Sequence, residues 1–170
     1  MASPFWNFSI AVYGASAVES ECLALQDQFG IDVNLILLCA FIGVVHGVEL
    51  TADDIAAARE LVGSWHKDIV ISLRAARRRL KTIELPDANT AKAAADLRSR
   101  VKAAELESER IEQTMLEQWT KARLAARPRG NSRYIVPANL QALLAGYSIE
   151  PERLTAAGAL KHLIAAALVR

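Results

Sequence analysis

Hydrophobic residues recur at helical spacing along most of the chain, and no stretch shows the alternation of a half-buried strand. Four apolar residues spaced four, three and four apart predict one helix before Gly30: Val18, Cys22, Leu25 and Phe29. Past Asp32 the run Leu35–Val45 makes a third helix that is apolar on nearly every side. A helix of that kind lies at the centre of a fold. The run is shorter than the ~20 residues that a bilayer requires, so no membrane span is predicted.

Capping residues mark where the first helices begin. Ser3 and Pro4 are typical of a helix start, and Ser16 is the predicted cap of the second helix. Gly30 is placed to end that second helix with a positive φ. Asp32 is then the predicted cap of the third helix, and we expect its side chain to accept a hydrogen bond from the backbone N–H of Asn34 or Leu35.

Two long helices follow and predict an antiparallel hairpin. Thr51–Asp54 resembles a capping box at the start of a helix over 52–85, and Pro86-Asp87 forms the turn into a helix over 89–127. The second long helix carries a stripe with steps of three and four, typical of packing against a neighbouring helix, at positions 94, 97, 101, 104, 108, 111, 115, 118, 122 and 125.

The predicted fold is an all-α bundle, built on this hairpin and completed by short N- and C-terminal helices. We predict helices near Pro137–Ala145 and over 151–169, after a basic loop at 128–136 that is rich in helix breakers. The length suits a single domain over 1–170. Its parts are an acidic and apolar start at 1–50, the hairpin at 51–127, the loop at 128–136 and the C-terminal helices at 137–170.

Composition narrows the class of protein. With 52% hydrophobic residues the chain is not a disordered protein, and a net charge of +1 gives no global attraction to nucleic acid. The first fifty residues carry five acids and no Lys or Arg, so we expect internal complementarity with the basic middle. Cys22 and Cys39 form no Cys-x-x-Cys pair and are interpreted as free buried thiols. Since the start lacks the basic segment of a signal peptide, we expect a cytoplasmic protein.

Several strings resemble a bacterial family of hypothetical proteins that carries only a domain-of-unknown-function label. They are FWxFS with a following Tyr at 5–13, LQDxxGxDVNL at 25–35, LRAARR at 73–78 and ELExER at 105–110. The resemblance runs over roughly residues 4–120. It implies a mostly proteobacterial, cytoplasmic setting, and it implies no activity, cofactor or catalytic residue.

The densest polar cluster of the apolar N-terminal half is the first candidate site. Its polar members are Gln26, Asp27, Asp32 and Asn34, and the aromatic rings of Trp6 and Trp65 are candidate walls of a ligand or partner pocket. The alternative, which we favour, is structural. Asp32 then caps a helix, the two amides satisfy a tight corner, and the tryptophans pack in the core.

Five basic residues within 74–81 form a second candidate, an anion site with Arg74, Arg77 and Arg78. If facing positions of the hairpin sum to about 174, Arg74 lies level with Arg100 and stays partly unpaired. A solvated face with ion pairs is the favoured reading. No aromatic residue interleaves the arginines, which disfavours nucleic acid.

A metal site is a third candidate, formed by Glu105, Glu109 and His66 at nearly the same level of the hairpin. The Glu-x-x-His pairing of di-iron bundles is absent, so no metal and no cofactor is favoured. His46 ends the third helix, where a protonated imidazole suits the helix dipole. Neither His46 nor His162 has a nucleophile at a recognisable spacing.

The leading hypothesis is a helical binding protein that contacts a protein partner or a small hydrophobic ligand. The alternative is a small metal-dependent or acid/base enzyme that uses Asp27, Asp32, Glu105, Glu109 and His66. A third option is an anion or nucleic-acid binder through Arg74–Lys81. The apolar stripe near the far end of the long helix (Ile111, Met115 and Ala122) needs cover, which either the C-terminal helix or a second copy of the chain would supply. We favour the second copy, that is, a homodimer.

Overall fold

The computed structural model describes residues 3–149 and 160–170, and within them the chain is helical with no strand. This confirms the all-α prediction. The helices are α1 (Pro4–Tyr13), α2 (Val18–Phe29), α3 (Val33–Phe41), α4 (Ala52–Trp65), α5 (Ile71–Thr82), α6 (Ala88–Leu124), α7 (Ser132–Gly146) and α8 (Lys161–Leu168). A π-helical turn, Ile42–His46, extends α3, and a second one, His66–Val70, joins α4 to α5.

The chain divides into two compact units. Unit 1 consists of residues 1–61 and 113–170, and unit 2 is Val62–Glu112. The single folding domain inferred from length stays a prediction.

Helix α3 is the centre of unit 1. Its residues 34–41 are all buried, and α1, α2, α7 and α8 pack around it. The ring of Phe41 lies 5.0 Å from that of Phe5 and 5.5 Å from that of Phe8, between ring centroids. The all-round apolar sequence of this helix predicted such a central position.

Most of the predicted caps are confirmed. The Ser3 hydroxyl accepts from the Trp6 N–H, and Thr51 and Asp54 exchange the hydrogen bonds of a capping box. The prediction for Ser16 is wrong. The chain enters α2 through Ala17 in the left-handed region, at φ 67°, and no side chain caps that helix.

Unit 2 is an antiparallel helix pair, because His66 pairs with Glu112 whereas Arg74, eight residues later, pairs with the earlier Glu105 of α6. His66 pairs with Glu112, Trp65 bonds the Ser108 carbonyl, and Arg74 reaches Glu105. The predicted register was wrong for the arginines: Arg74 lies beside acidic residues of α6 and not beside Arg100. The predicted helix over 52–85 is interrupted by the π-helical turn and ends at Thr82.

The C-terminal part differs from the sequence prediction in its boundaries. Helix α7 begins at Ser132, before the predicted start, because the Asn131 side chain accepts from the Arg133 N–H and caps it. Pro137 therefore lies inside the helix. The predicted helix over 151–169 is described only for Lys161–Leu168, since residues 150–159 lie outside the described part.

In the described ranges, no single helix combines the length and the apolar character needed to cross a membrane. Helices α1 and α2 meet that criterion only when counted together, and a bend of 98° separates them.

Candidate functional site

The predicted corner between α2 and α3 is present. Gly30 adopts φ 66°, and its N–H donates to the Gln26 carbonyl. The Asp32 Oδ1 accepts from the Asn34 N–H at 2.8 Å. Both expectations for this corner are confirmed, and both follow from the chemistry of helix ends.

Protein groups surround the polar side chains of this corner. The Gln113 Nε2 donates to the Asn34 Oδ1 at 2.8 Å, and both side chains are buried. The Asp32 N–H donates to the Tyr147 hydroxyl at 3.4 Å, and the Arg59 guanidinium lies 4.1 Å from the Tyr147 ring centroid. Burial raises the pKa of Tyr147, which keeps that hydroxyl neutral. These contacts support the structural interpretation of Asp32 and Asn34.

The other members of the first candidate site are spread out. Gln26 and Trp6 are half-buried, and Asp27 is exposed. Trp65 belongs to unit 2, where its Nε1 donates to the Ser108 carbonyl at 3.0 Å. The indole N–H of Trp65 is therefore already hydrogen-bonded within unit 2.

The second and third candidate sites, both in unit 2, overlap. Arg74 donates to Glu105 at 3.1 Å and to Glu109 at 2.9 Å, and Arg77 donates to Glu105 through two nitrogens. Burial alone would raise the pKa of Glu105, but the bonds from Arg77 and Arg74 outweigh it and hold that pKa below its usual value. The carboxylates proposed for a metal are therefore bound to two of the arginines proposed for an anion. The His66 Nδ1 lies 3.3 Å from the Glu112 carboxylate.

A different place in unit 1 has the features of a site, and it is centred on His46. This residue is the last of the π-helical turn Ile42–His46, a rare conformation that is frequent at functional sites. The imidazole meets the Phe41 ring edge-on, with centroids 5.4 Å apart. The turn therefore holds the ring against the core of unit 1.

Gly47 brings a distant loop next to His46. Its φ is 64°, and its carbonyl accepts from the Gly130 N–H at 2.8 Å. A Cβ at position 47 would lie 3.0 Å from the Gly130 carbonyl oxygen, so only glycine suits both the conformation and the close approach. This contact places Arg129 beside His46.

Asn139 fixes the segment that follows His46. The side chain of this fully buried residue accepts from the Leu50 N–H at 2.8 Å, and it donates to the carbonyls of Val48 and Cys39 at 3.0 and 3.3 Å. Residues 48–50 are not in a helix, so these bonds satisfy backbone groups that no helical neighbour reaches. Helix α7 thereby positions one wall of the pocket.

The pocket beside His46 has a volume of about 270 Å³. Its polar lining is cationic or neutral, and the rest is apolar: His46, Thr120, Lys121 and Arg129, with Val48, Leu124 and Ala125. A neighbouring depression of about 480 Å³ shares Arg129 and extends along the loop past Pro128 and Gly130 to Ile135. Arg129 thus stands between the two hollows.

The charges around the pocket are unequally compensated. Lys121 pairs with Glu117 at 2.6 Å, while Arg123 and Arg127 pair with the buried Asp54 at 2.8 and 3.2 Å. Across residues 3–149 and 160–170, Arg129 has no ion pair. Burial and the positive charge of Arg129 lower the pKa of His46, and only Glu117 opposes them among the acids. A protonated imidazole would suit the helix end, but burial and the neighbouring cations favour the neutral form of His46 at pH 7.

Sequence reasoning missed most of this site. It singled out the basic loop and noted the position of His46, but nothing in the sequence joined the two. The bonds of Asn139 and Gly47 span 83 to 100 residues of chain, and local patterns do not contain such pairings.

The fold and the pocket define a small all-helical protein with an apolar hollow rimmed by basic side chains. A family model described as "Protein of unknown function (DUF2390)" matches residues 4–116. The chain belongs to that family, which confirms the predicted membership of a family with a domain-of-unknown-function label. The match includes His46 and ends before Lys121 and Arg129. No curated protein and no solved structure matches the chain.

Proposed function

We propose that this protein binds a small carboxylic acid in the His46 pocket, with the apolar body of the ligand on Val48 and Leu124. The observation that carries the proposal is Arg129, an arginine at the pocket rim that has no ion pair within the described residues. A guanidinium binds a carboxylate with two parallel hydrogen bonds, which makes arginine the preferred partner of such a group.

The net charge of the pocket favours a single negative charge on the ligand. Lys121 and Arg129 are cationic, His46 is neutral, and Glu117 is anionic. Burial alone would raise the pKa of Glu117, but the bonds from Lys121 and Ser3 outweigh it and keep the pKa below its usual value. One positive charge therefore remains, which a carboxylate matches better than a doubly charged phosphate.

The volume favours a ligand smaller than a typical drug. Pockets for drug-sized molecules span roughly 300–1,000 Å³, and this one has about 270 Å³. A single aromatic ring or a short alkyl chain with one acid group fits that space. The sequence predicted a small hydrophobic ligand, and the proposal adds that this ligand carries one acid group.

A cytoplasmic setting belongs to the same proposal, supported by two free buried thiols, Cys22 and Cys39.

Calorimetry with chemically matched probes tests the proposal. We expect benzoate and hexanoate to bind, and benzamide and acetate to bind much more weakly, since benzamide lacks the charge and acetate lacks the apolar body. Replacing Arg129→Gln should weaken benzoate binding by roughly 10- to 100-fold, the range for one charge-assisted contact. Equal binding of benzoate and benzamide would overturn the proposal.

Arg133→Gln is the matched control. Arg133 is an exposed arginine four residues beyond Arg129 and lines neither pocket. We expect its replacement to leave benzoate binding unchanged. Equal losses from the two arginine variants would indicate general attraction to a basic surface in place of a defined site.

A further inference from the structure

One face of α6 in unit 2 carries exposed apolar residues in a regular series. Leu97, Ala104 and Ile111 are seven residues apart and exposed, with 42% of Leu97 and 41% of Ile111 accessible. The buried positions of this part of the helix are instead Glu105, Ser108 and Glu112. Half of the stripe predicted to pack within the hairpin therefore faces outward.

The reason lies in the arginines of α5. Arg74 and Arg77 bind Glu105, and that pairing turns the acidic edge of α6 towards the hairpin partner. The apolar series therefore lies on an exposed side of α6. A seven-residue apolar repeat on a helix is the pattern that packs against another helix.

Charges beside this series are arranged so that the surface complements itself. Arg100 and Glu107 each lie three residues beyond a member of the series, Leu97 and Ala104 respectively, and so occupy equivalent flanking positions. Both are exposed, and within the described part of the chain the Glu107 carboxylate has one long ion pair, with Arg110 at 4.0 Å. When two such helices run antiparallel about Ala104, Leu97 of each copy meets Ile111 of the other. Arg100 of each copy then meets Glu107 of the other.

We propose that two copies of this chain associate through that face, antiparallel, with the two-fold axis at Ala104. A second copy is the occupant because one surface supplies both signs of charge and both ends of the apolar series, as a two-fold interface requires. The small side chain of Ala104 allows the helices to approach closely at the axis. This inference rests on residues other than those of the acid pocket.

Charge reversal provides a test with built-in rescue. Analytical ultracentrifugation of the full chain should show a concentration-dependent monomer–dimer equilibrium. Arg100→Glu alone and Glu107→Arg alone should each weaken it about tenfold or more, because each places like charges opposite one another twice. The double variant should restore the wild-type affinity.

A mixture of the two single variants should also form heterodimers, since one then carries two acids and the other two arginines. A chain that stays monomeric at all concentrations would overturn the proposal. So would a double variant as weak as the single ones.

Cysteine cross-linking tests the orientation. Leu97→Cys mixed with Ile111→Cys should give a disulfide-linked dimer on mild oxidation, whereas either protein alone should give little. The native thiols do not interfere, because Cys22 and Cys39 are buried and burial raises the pKa of Cys22 to about 12. Leu106→Cys is the control, as Leu106 is 53% exposed on the opposite side of α6. Cross-linking of Leu106→Cys at the same rate as the mixed pair would refute this interface.

Discussion

The Gln113 side-chain amide and the Asn34 amide oxygen are joined by a 2.8 Å hydrogen bond inside unit 1, where neither side chain has more than 6% of its surface exposed. The bond connects α6 to the first turn of the central helix α3. The Gln113 Oε1 has no partner among the described residues. Gln113 is thus already incompletely satisfied, so losing its one bonded partner is costly.

A double-mutant cycle should expose this dependence. We expect Asn34→Leu to lower the free energy of unfolding by roughly 1–3 kcal/mol, because it leaves the Gln113 amide buried and unpaired. Adding Gln113→Leu should recover part of that loss, since both polar groups are then gone. Urea denaturation measures both steps. Strictly additive losses would mean that the two side chains do not depend on each other.

Asp32 is expected to act as a helix cap. Asp32→Ala should lower the free energy of unfolding by about 1 kcal/mol, whereas Asp32→Asn should keep most of the stability, because an amide oxygen caps about as well as a carboxylate. Thermal unfolding of both variants checks this. An Asn variant as unstable as the Ala variant would show that the negative charge, and not the cap, is required.

Asn139→Leu should be among the most destabilising single changes in unit 1. Three backbone groups lose their partners, at roughly 1 kcal/mol each, so we expect a loss of about 3 kcal/mol. Gln141→Leu, at an exposed position of the same helix, is the control and should change stability by less than about 0.5 kcal/mol. Comparable losses for the two variants in chemical denaturation would contradict the role assigned to Asn139.

Asp54 should make unit 1 sensitive to acid. Burial alone would raise the pKa of Asp54, but hydrogen bonds from Arg123 and Thr51 and the charge of Arg127 together lower it. The stabilisation is therefore present above the pKa of an unfolded Asp, about 3.9, and is lost as the pH falls through the lower folded value. Asp54→Asn should cost roughly 2 kcal/mol at neutral pH. Melting temperatures of the two proteins should converge in strong acid, and a constant gap at all pH values would argue against this pairing.

Ligand binding should couple to the protonation of His46. A bound carboxylate near the ring should raise the depressed pKa of His46, so binding takes up a proton and tightens as the pH falls. We expect benzoate to bind more tightly at about pH 5.5 than at about pH 7.5, where the imidazole of the free protein is neutral. His46→Gln should abolish this dependence while leaving some binding through Arg129. Calorimetry at the two pH values measures both effects.

The sequence was most informative where the deciding interaction is local. Ser3, Gly30, Asp32 and the Thr51–Asp54 box were predictable because each cap is satisfied within four residues of chain. The predicted cap at Ser16 was wrong because the helix starts from the left-handed backbone conformation of Ala17. No pattern of side chains in the sequence indicates that conformation. The period of α6 likewise predicted a helix but not which of its sides turns towards the hairpin partner, since that choice depends on Arg74 and Arg77 thirty residues away.

The pocket could not be predicted from local sequence patterns either, because its contacts join residues that are far apart in the sequence. Its walls come from the end of α3, from α6 and from the basic loop, and a buried asparagine outside all quoted motifs fixes one of them. The composition of Ile42-Gly-Val-Val-His46 did not distinguish the π-helical turn that presents His46 from an ordinary helical turn, since glycine and valine are only weak helix formers.

That π-helical turn also determines how the site responds to the loss of one residue. A π-helical turn holds one residue more than an α-helical one, so removing Val44 or Val45 should let the backbone close into a regular helix. The ring of His46 would then keep nearly the same direction about the helix axis, because four α-helical residues at about 100° each turn the chain about as far as five residues of the wider π-helix. Residues 34–41 would keep their buried positions. A gene that lost one codon of this turn would therefore still encode both the core and the direction of the histidine, whereas one that lost a codon within residues 34–41 would turn the histidine by about 100° away from Arg129.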